Sequence, residues 1–127
     1  MKKLVLLFGA SYGLLSVIFG AFGAHALKKV LPETALQSFE TGVRYQMYHG
    51  ILLLLIGFFF AFETKLENYM AWSFIVGTIL FSFSIYLLAL NNQWGYQLRF
   101  LGPITPLGGL FLIIGWLLLL VLVFRRF

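Results

Sequence analysis

One arginine, two tyrosines and a histidine stand within six residues in Arg44-Tyr45-Gln46-Met47-Tyr48-His49, and the run passes into the apolar stretch 51–62 without a loop. Ionisable groups where water gives way to hydrocarbon usually face protein or a water-filled cavity, so this run is the first place to look for function. Histidine offers two chemistries there. His25 and His49, on neighbouring helices, could ligate a haem iron, or an imidazole could relay protons. The bland alternative is a pair of structural histidines bonded to backbone or tyrosine.

A second chemical feature is Leu101-Gly102-Pro103-Ile104-Thr105-Pro106-Leu107-Gly108-Gly109. If a helix begins near Pro103, both prolines lie in its first turn and break no helical bond. The N–H groups of Ile104 and Thr105 are then open, and the positive end of the helix dipole suits an anion. The simpler reading is that these prolines only define the helix start.

Spacing links the first run to its surroundings. Glu40 with Arg44, Arg44 with Tyr48, and Tyr45 with His49 are all i, i+4. A Glu40–Arg44 pair, or a lipid phosphate, would ease the arginine into the interface, and the tyrosines suit an aromatic belt. The four glutamates, at 33, 40, 63 and 67, lie outside the apolar segments, so a buried dimetal site is not expected. Nucleophile motifs and phosphate loops are absent, which leaves any catalysis to histidine and tyrosine. Cysteine is absent as well, which removes disulfides and thiolate metal sites.

The elements that must position these residues follow from composition. Of 127 residues, 61% are hydrophobic and 10% charged, more apolar surface than a soluble domain of this size can bury. A membrane crossing needs about 20 apolar residues. Segments 4–27, 43–62, 69–90 and 104–124 qualify, which predicts an all-α bundle of four transmembrane helices in a single domain, 1–127. Ala24-His25-Ala26 mimics a signal-peptide cleavage site, but the preceding apolar run is about twice the usual length, so it reads as a retained span.

The first span carries Gly9, Gly13, Ser16, Gly20 and Gly23 in a helix-packing stripe. The stripe serves either packing within the bundle or a homo-oligomer interface. After it, Leu36, Phe39 and Val43 share one face, which predicts a short amphipathic interfacial helix with a bend at Gly42. Asn68 is the expected N-cap of span three. That span has two small or polar faces, Thr78, Ser82, Tyr86 and Ser73, Gly77, Ser84, so it should pack on two sides. Trp94 and Tyr96 suit the interfacial belt.

Four crossings would gather His25, Arg44, Tyr45, Tyr48, His49, Tyr86 and Thr105 in one leaflet as a shallow polar cluster. The other leaflet, with Trp72 and Trp116, is plainer. Both termini would share a side with Lys2, Lys3, Lys65, Arg125 and Arg126, against Lys28, Lys29 and Arg99, which favours cytoplasmic termini. The net charge of +5 is spread along membrane flanks and does not suggest nucleic acid.

Three motifs in order, Gly20-Ala21-Phe22-Gly23-Ala24-His25, then Thr41 through His49, then Leu101 through Gly109 with Gly115-Trp116, resemble one family over nearly the whole chain. It is a family of small bacterial membrane proteins catalogued as a domain of unknown function, with animal relatives in the transmembrane protein 256 group. One departure is Phe83 in Phe81-Ser82-Phe83-Ser84, where the family usually has glycine. The resemblance implies a multi-pass protein of the bacterial plasma membrane and implies no activity. The residues themselves leave three functional expectations. The first is a non-enzymatic protein that self-associates or joins a larger membrane complex. The second is a binder or transporter of a lipid, quinone or small anion at the polar cluster. Haem-mediated electron transfer is a third.

Overall fold

In lipid a segment must satisfy its own backbone hydrogen bonds, and the apolar segments all do so as helices. The computed structural model describes residues 1–94 and 99–127. The belt expected of Trp94 and Tyr96 concerns side chains outside the described residues. Helix α1 is Lys2–His25, followed by a 3₁₀ turn, Leu27–Lys29. Helix α2 is Glu33–Phe59, α3 is Lys65–Thr78, and a π-helical turn, Ile79–Phe83, joins α3 to α4, Ser84–Trp94. Helix α5 is Ile104–Arg126. No strand occurs among the described residues.

Three helical stretches, Lys2–Lys29, Lys65–Asn91 and Ile104–Arg126, are long and apolar enough to cross a membrane. The fourth expected span, 43–62, does not reach that standard as α2. Residues 33–49 of it carry Glu33, Gln37, Glu40, Arg44, Gln46 and His49. The separate interfacial helix and the bend at Gly42 are also corrected: α2 runs unbroken through both. Gly42 serves close approach instead, since a Cβ there would lie 2.7 Å from the Tyr86 ring. At α3, the cap is Thr64 and not Asn68. Thr64 Oγ1 accepts the Glu67 N–H at 3.3 Å, the N-cap geometry that satisfies an orphan donor.

α1 and α2 pack antiparallel through small residues. A Cβ on Gly9 would meet Leu54, one on Gly50 would meet Gly13, one on Gly20 would face Val43, and one on Gly23 would meet Phe39. A second antiparallel seam joins the α3–α4 rod to α5. There Gly115 lies on Phe74, Gly77 on Leu112, and Gly108 on the backbone of Leu80 and Phe81. The larger core cluster includes Val5, Tyr12, Leu53, Phe60, Met70, Phe74 and Leu112, and a smaller one gathers Leu27, Leu31, Phe39, Tyr86 and Ala89 at the other end.

Both termini lie at the end of the larger cluster. Lys2 Nζ donates to the carbonyls of Phe58 and Phe60, at 3.3 and 3.4 Å. Arg126 pairs with fully buried Glu67 and lies over the Phe60 ring. The second Glu67 oxygen accepts the Glu63 N–H at 3.0 Å. That bond follows Phe62, whose φ of 60° is a left-handed conformation unusual for a bulky residue.

Candidate functional site

α2 sorts the residues of the opening run by helical phase. Phe39, Gly42, Gln46, His49, Leu53 and Ile56 recur every three or four positions and are buried. Glu40, Arg44 and Tyr48, at i, i+4, i+8, lie on the exposed side. The six-residue run is therefore two surfaces and not one wall.

On the inner face, His49 is only 4% exposed and both ring nitrogens are engaged. Nδ1 lies 2.7 Å from the Tyr45 carbonyl, and Nε2 lies 3.2 Å from Trp116 Nε1 on α5. Indole N–H can only donate, so Nε2 accepts and Nδ1 carries the proton, which fixes a neutral tautomer. The ring also sits against Phe74.

One turn away, Gln46 is fully buried. Its Nε2 donates to the Tyr12 carbonyl on α1 at 3.0 Å, and its Oε1 accepts the Tyr86 hydroxyl of α4 at 2.6 Å. Tyr12 in turn donates to the Ile75 carbonyl of α3 at 2.7 Å. Ser82 donates to the Gly42 carbonyl at 2.8 Å. Ser84 returns its hydrogen to Phe81 O at 2.9 Å and bonds Thr105 at the start of α5. The two faces of the α3–α4 rod are thus assigned: Ser82 and Tyr86 meet α2, while Gly77 and Ser84 meet α5.

Every bond just described except the Ser84–Phe81 return and the His49–Tyr45 contact joins two different helices. Side-chain hydrogen bonds of this kind hold helices together in lipid, where the hydrophobic effect does not. Chemically the set is a framework. It has no free imidazole nitrogen, and its members shield one another.

The expected cluster does not form as one site. His25 is exposed at the end of α1. The α1–α2 register, Gly13 beside Gly50 and Gly23 beside Phe39, sets His49 level with about residue 14. His25 lies about eleven residues further on, roughly 17 Å along the helix axis. With Nε2 already accepting from Trp116, the two histidines do not fit a haem. Arg44 is exposed and donates to Thr41 Oγ1 at 3.1 Å. The expected Glu40–Arg44 pair is absent, and the ion pair found among the described residues is Arg126–Glu67. Tyr45 packs its ring on Phe81, and Tyr48 is 56% exposed.

Sequence reasoning missed Gln46, Tyr12, Trp116 and Glu67. For Gln46 a signal existed, since it shares the inward face with His49 at i, i+3. By sequence Trp116 belongs to the plainer leaflet, but its indole reaches His49 from α5.

Two grooves border the framework. One, of about 190 Å³, lies between α1 and α2 and includes Gly20, Gly23, Glu40 and Arg44. The other, of about 520 Å³, lies between the first turns of α2, α4 and the start of α5, and includes Thr34, Ser38 and Thr105. His49 lines neither.

An all-helical chain with long apolar helices and interior polar groups bonded from helix to helix is a multi-pass membrane protein. The chain belongs to the bacterial membrane protein family described as "Protein of unknown function (DUF423)", whose model matches residues 19–109. It is 42% identical to a UPF0382 membrane protein of Staphylococcus haemolyticus over 97% of both chains. It is 39% identical to the UPF0382 membrane protein YwdK of Bacillus subtilis over 94% of each. No solved structure matches the chain.

Proposed function

We propose that this is a non-enzymatic accessory protein of the bacterial plasma membrane, a rigid bundle that acts by associating with itself or with a larger membrane complex. One observation carries the reading. His49, Gln46, Tyr86 and Thr105, the side chains best suited to bind something, are each bonded to another helix of the same chain. What remains for function is the outer surface.

α2 is the fourth crossing in this reading. It lies beside α1 from Phe39 at Gly23 to Gly57 at Leu6, so a bilayer crossed by α1 is crossed by α2 as well. Its polar inner face is shielded by protein, which is how a helix of modest hydropathy is tolerated. Five basic residues flank the terminal end, which supports cytoplasmic termini. Purification in mild detergent tests the proposal. Self-association or a stoichiometric partner is expected, and a strictly monomeric protein with no co-purifying partner would overturn it.

A second reading, binding of a lipid, quinone or small anion, is favoured only by the groove at Thr34, Ser38 and Thr105. In that case Thr105→Val removes a bound small molecule that His49→Ala leaves in place. Thr105→Val leaving the bound set unchanged would remove this reading.

A further inference from the structure

The exposed side of α2 poses a physical problem that the interior does not. Two helices give the depth of its residues independently. The apolar run of α1 lies between Lys2-Lys3 and Lys28-Lys29, so its midpoint is near residue 15. By the α1–α2 register that is level with residues 47–48. The midpoint of α5, between its start at Ile104 and Arg125, is near residue 114, and Trp116 of that turn bonds His49. Both helices place the bilayer mid-plane at residues 47–49 of α2.

Arg44 therefore lies about 5–7 Å from the mid-plane, in a hydrocarbon core about 30 Å thick. Its bond to Thr41 draws the guanidinium toward the surface by up to one turn, roughly 5 Å, which still leaves it inside the core. Tyr48 presents its ring outward at the mid-plane itself. Glu40 is exposed one turn nearer the surface and is not paired with Arg44, although the i, i+4 spacing would allow it. Charges at such depth are almost always paired or face protein. Among the described residues Arg44 has no acidic partner within 4 Å.

We propose that the outward stripe Glu40–Arg44–Tyr48 of α2 is a two-fold interface with a second copy of this chain. The proposal rests on the accessory reading above and names its surface. The stripe is self-complementary: about an axis along the membrane normal, Arg44 of each copy reaches Glu40 of the other, and the two Tyr48 rings meet at the mid-plane. A symmetric pair uses one patch twice, so one acid and one base a turn apart satisfy each other across it. An anionic lipid would neutralise Arg44 but would set its phosphate beside the Glu40 carboxylate. The charge pattern therefore favours a second copy over lipid.

The chain has no cysteine, so single-cysteine cross-linking is unambiguous. Tyr48→Cys in native membranes should give a disulfide-linked dimer under mild oxidation, while Val17→Cys on the exposed side of α1 should not. Glu40→Arg and Arg44→Glu should each lower the Tyr48→Cys dimer at least tenfold, and the double reversal should restore it. Because all these positions are exposed, folding is checked by detergent melting of each variant, and the unreversed Tyr48→Cys protein tests the interface alone. Absence of a Tyr48→Cys dimer, or double reversal without rescue, overturns the proposal. If Arg44→Glu instead strips a co-purifying anionic lipid and the double reversal does not restore it, the occupant is lipid. Dimers that cross-link only through another face overturn this interface and leave the accessory reading standing. A protein monomeric by every probe and with no co-purifying partner overturns both.

Discussion

A glutamine amide inside a membrane protein is costly unless both its ends are bonded, and Gln46 meets that condition on two different helices. Gln46→Leu keeps the volume but orphans the Tyr86 hydroxyl. It should lower stability by about 1–2 kcal/mol, read by denaturant titration in micelles. Trp116→Phe removes the donor to His49 Nε2 and trims a ring that also packs against Phe74. The expected loss is about 0.6–1.7 kcal/mol, the range for single interhelical bonds in lipid. A loss near zero would mean that the indole contact is incidental. Phe83, where the resembled family usually has glycine, packs edge-on against Phe19 and Tyr86, so this chain fills that space with a ring.

At the scale of elements, the small residues of α1 and α5 are used within the molecule, but not evenly. A Cβ at Gly108 on α5 would overlap the backbone of Leu80 and Phe81, whereas one at Gly13 meets nothing within 4 Å. Gly108→Ala should therefore cost about 1–3 kcal/mol by overpacking, and Gly13→Ala should be within about 0.5 kcal/mol of wild type. Equal effects would contradict the packing described. Much of this was legible in the sequence. The apolar runs, the two faces of the third span and the glycine stripe follow from composition and helical period. The π-helical turn was not legible. It sits where Gly108 lets α5 touch the rod backbone at Phe81, a tertiary contact with no local mark in Ile79–Phe83. The unbroken course of α2 was hidden for a related reason. Gly42 reads locally as a bend, but the Tyr86 ring across from it explains the missing side chain.

For the molecule as a whole, the terminal end is tied by charge. Arg126 meets the buried Glu67 carboxylate, which also takes the Glu63 N–H, so the C-terminus is clamped to the α2–α3 link. Arg126→Ala leaves that carboxylate without its cation. It should destabilise the bundle by about 1–3 kcal/mol after allowance for the partial exposure of the arginine, and more than Glu67→Gln does. The reverse order would show that the pair is not what holds this end. The candidate site was the part least legible in sequence. Residue types single out Arg44 and His49 as unusual in an apolar chain, but helical phase decides that one faces out and the other in. The register of α1 on α2 then separates His25 from His49. In the proposed function His49 ties α2 to α5 and is not a ligand-binding group. Wild type and His49→Ala, extracted with native lipid and compared by mass spectrometry together with thermal melting, test it directly. The expected result is an identical set of bound molecules and partners with a lower melting temperature for the variant. A specific small molecule present on wild type and missing from a variant that melts normally would contradict it.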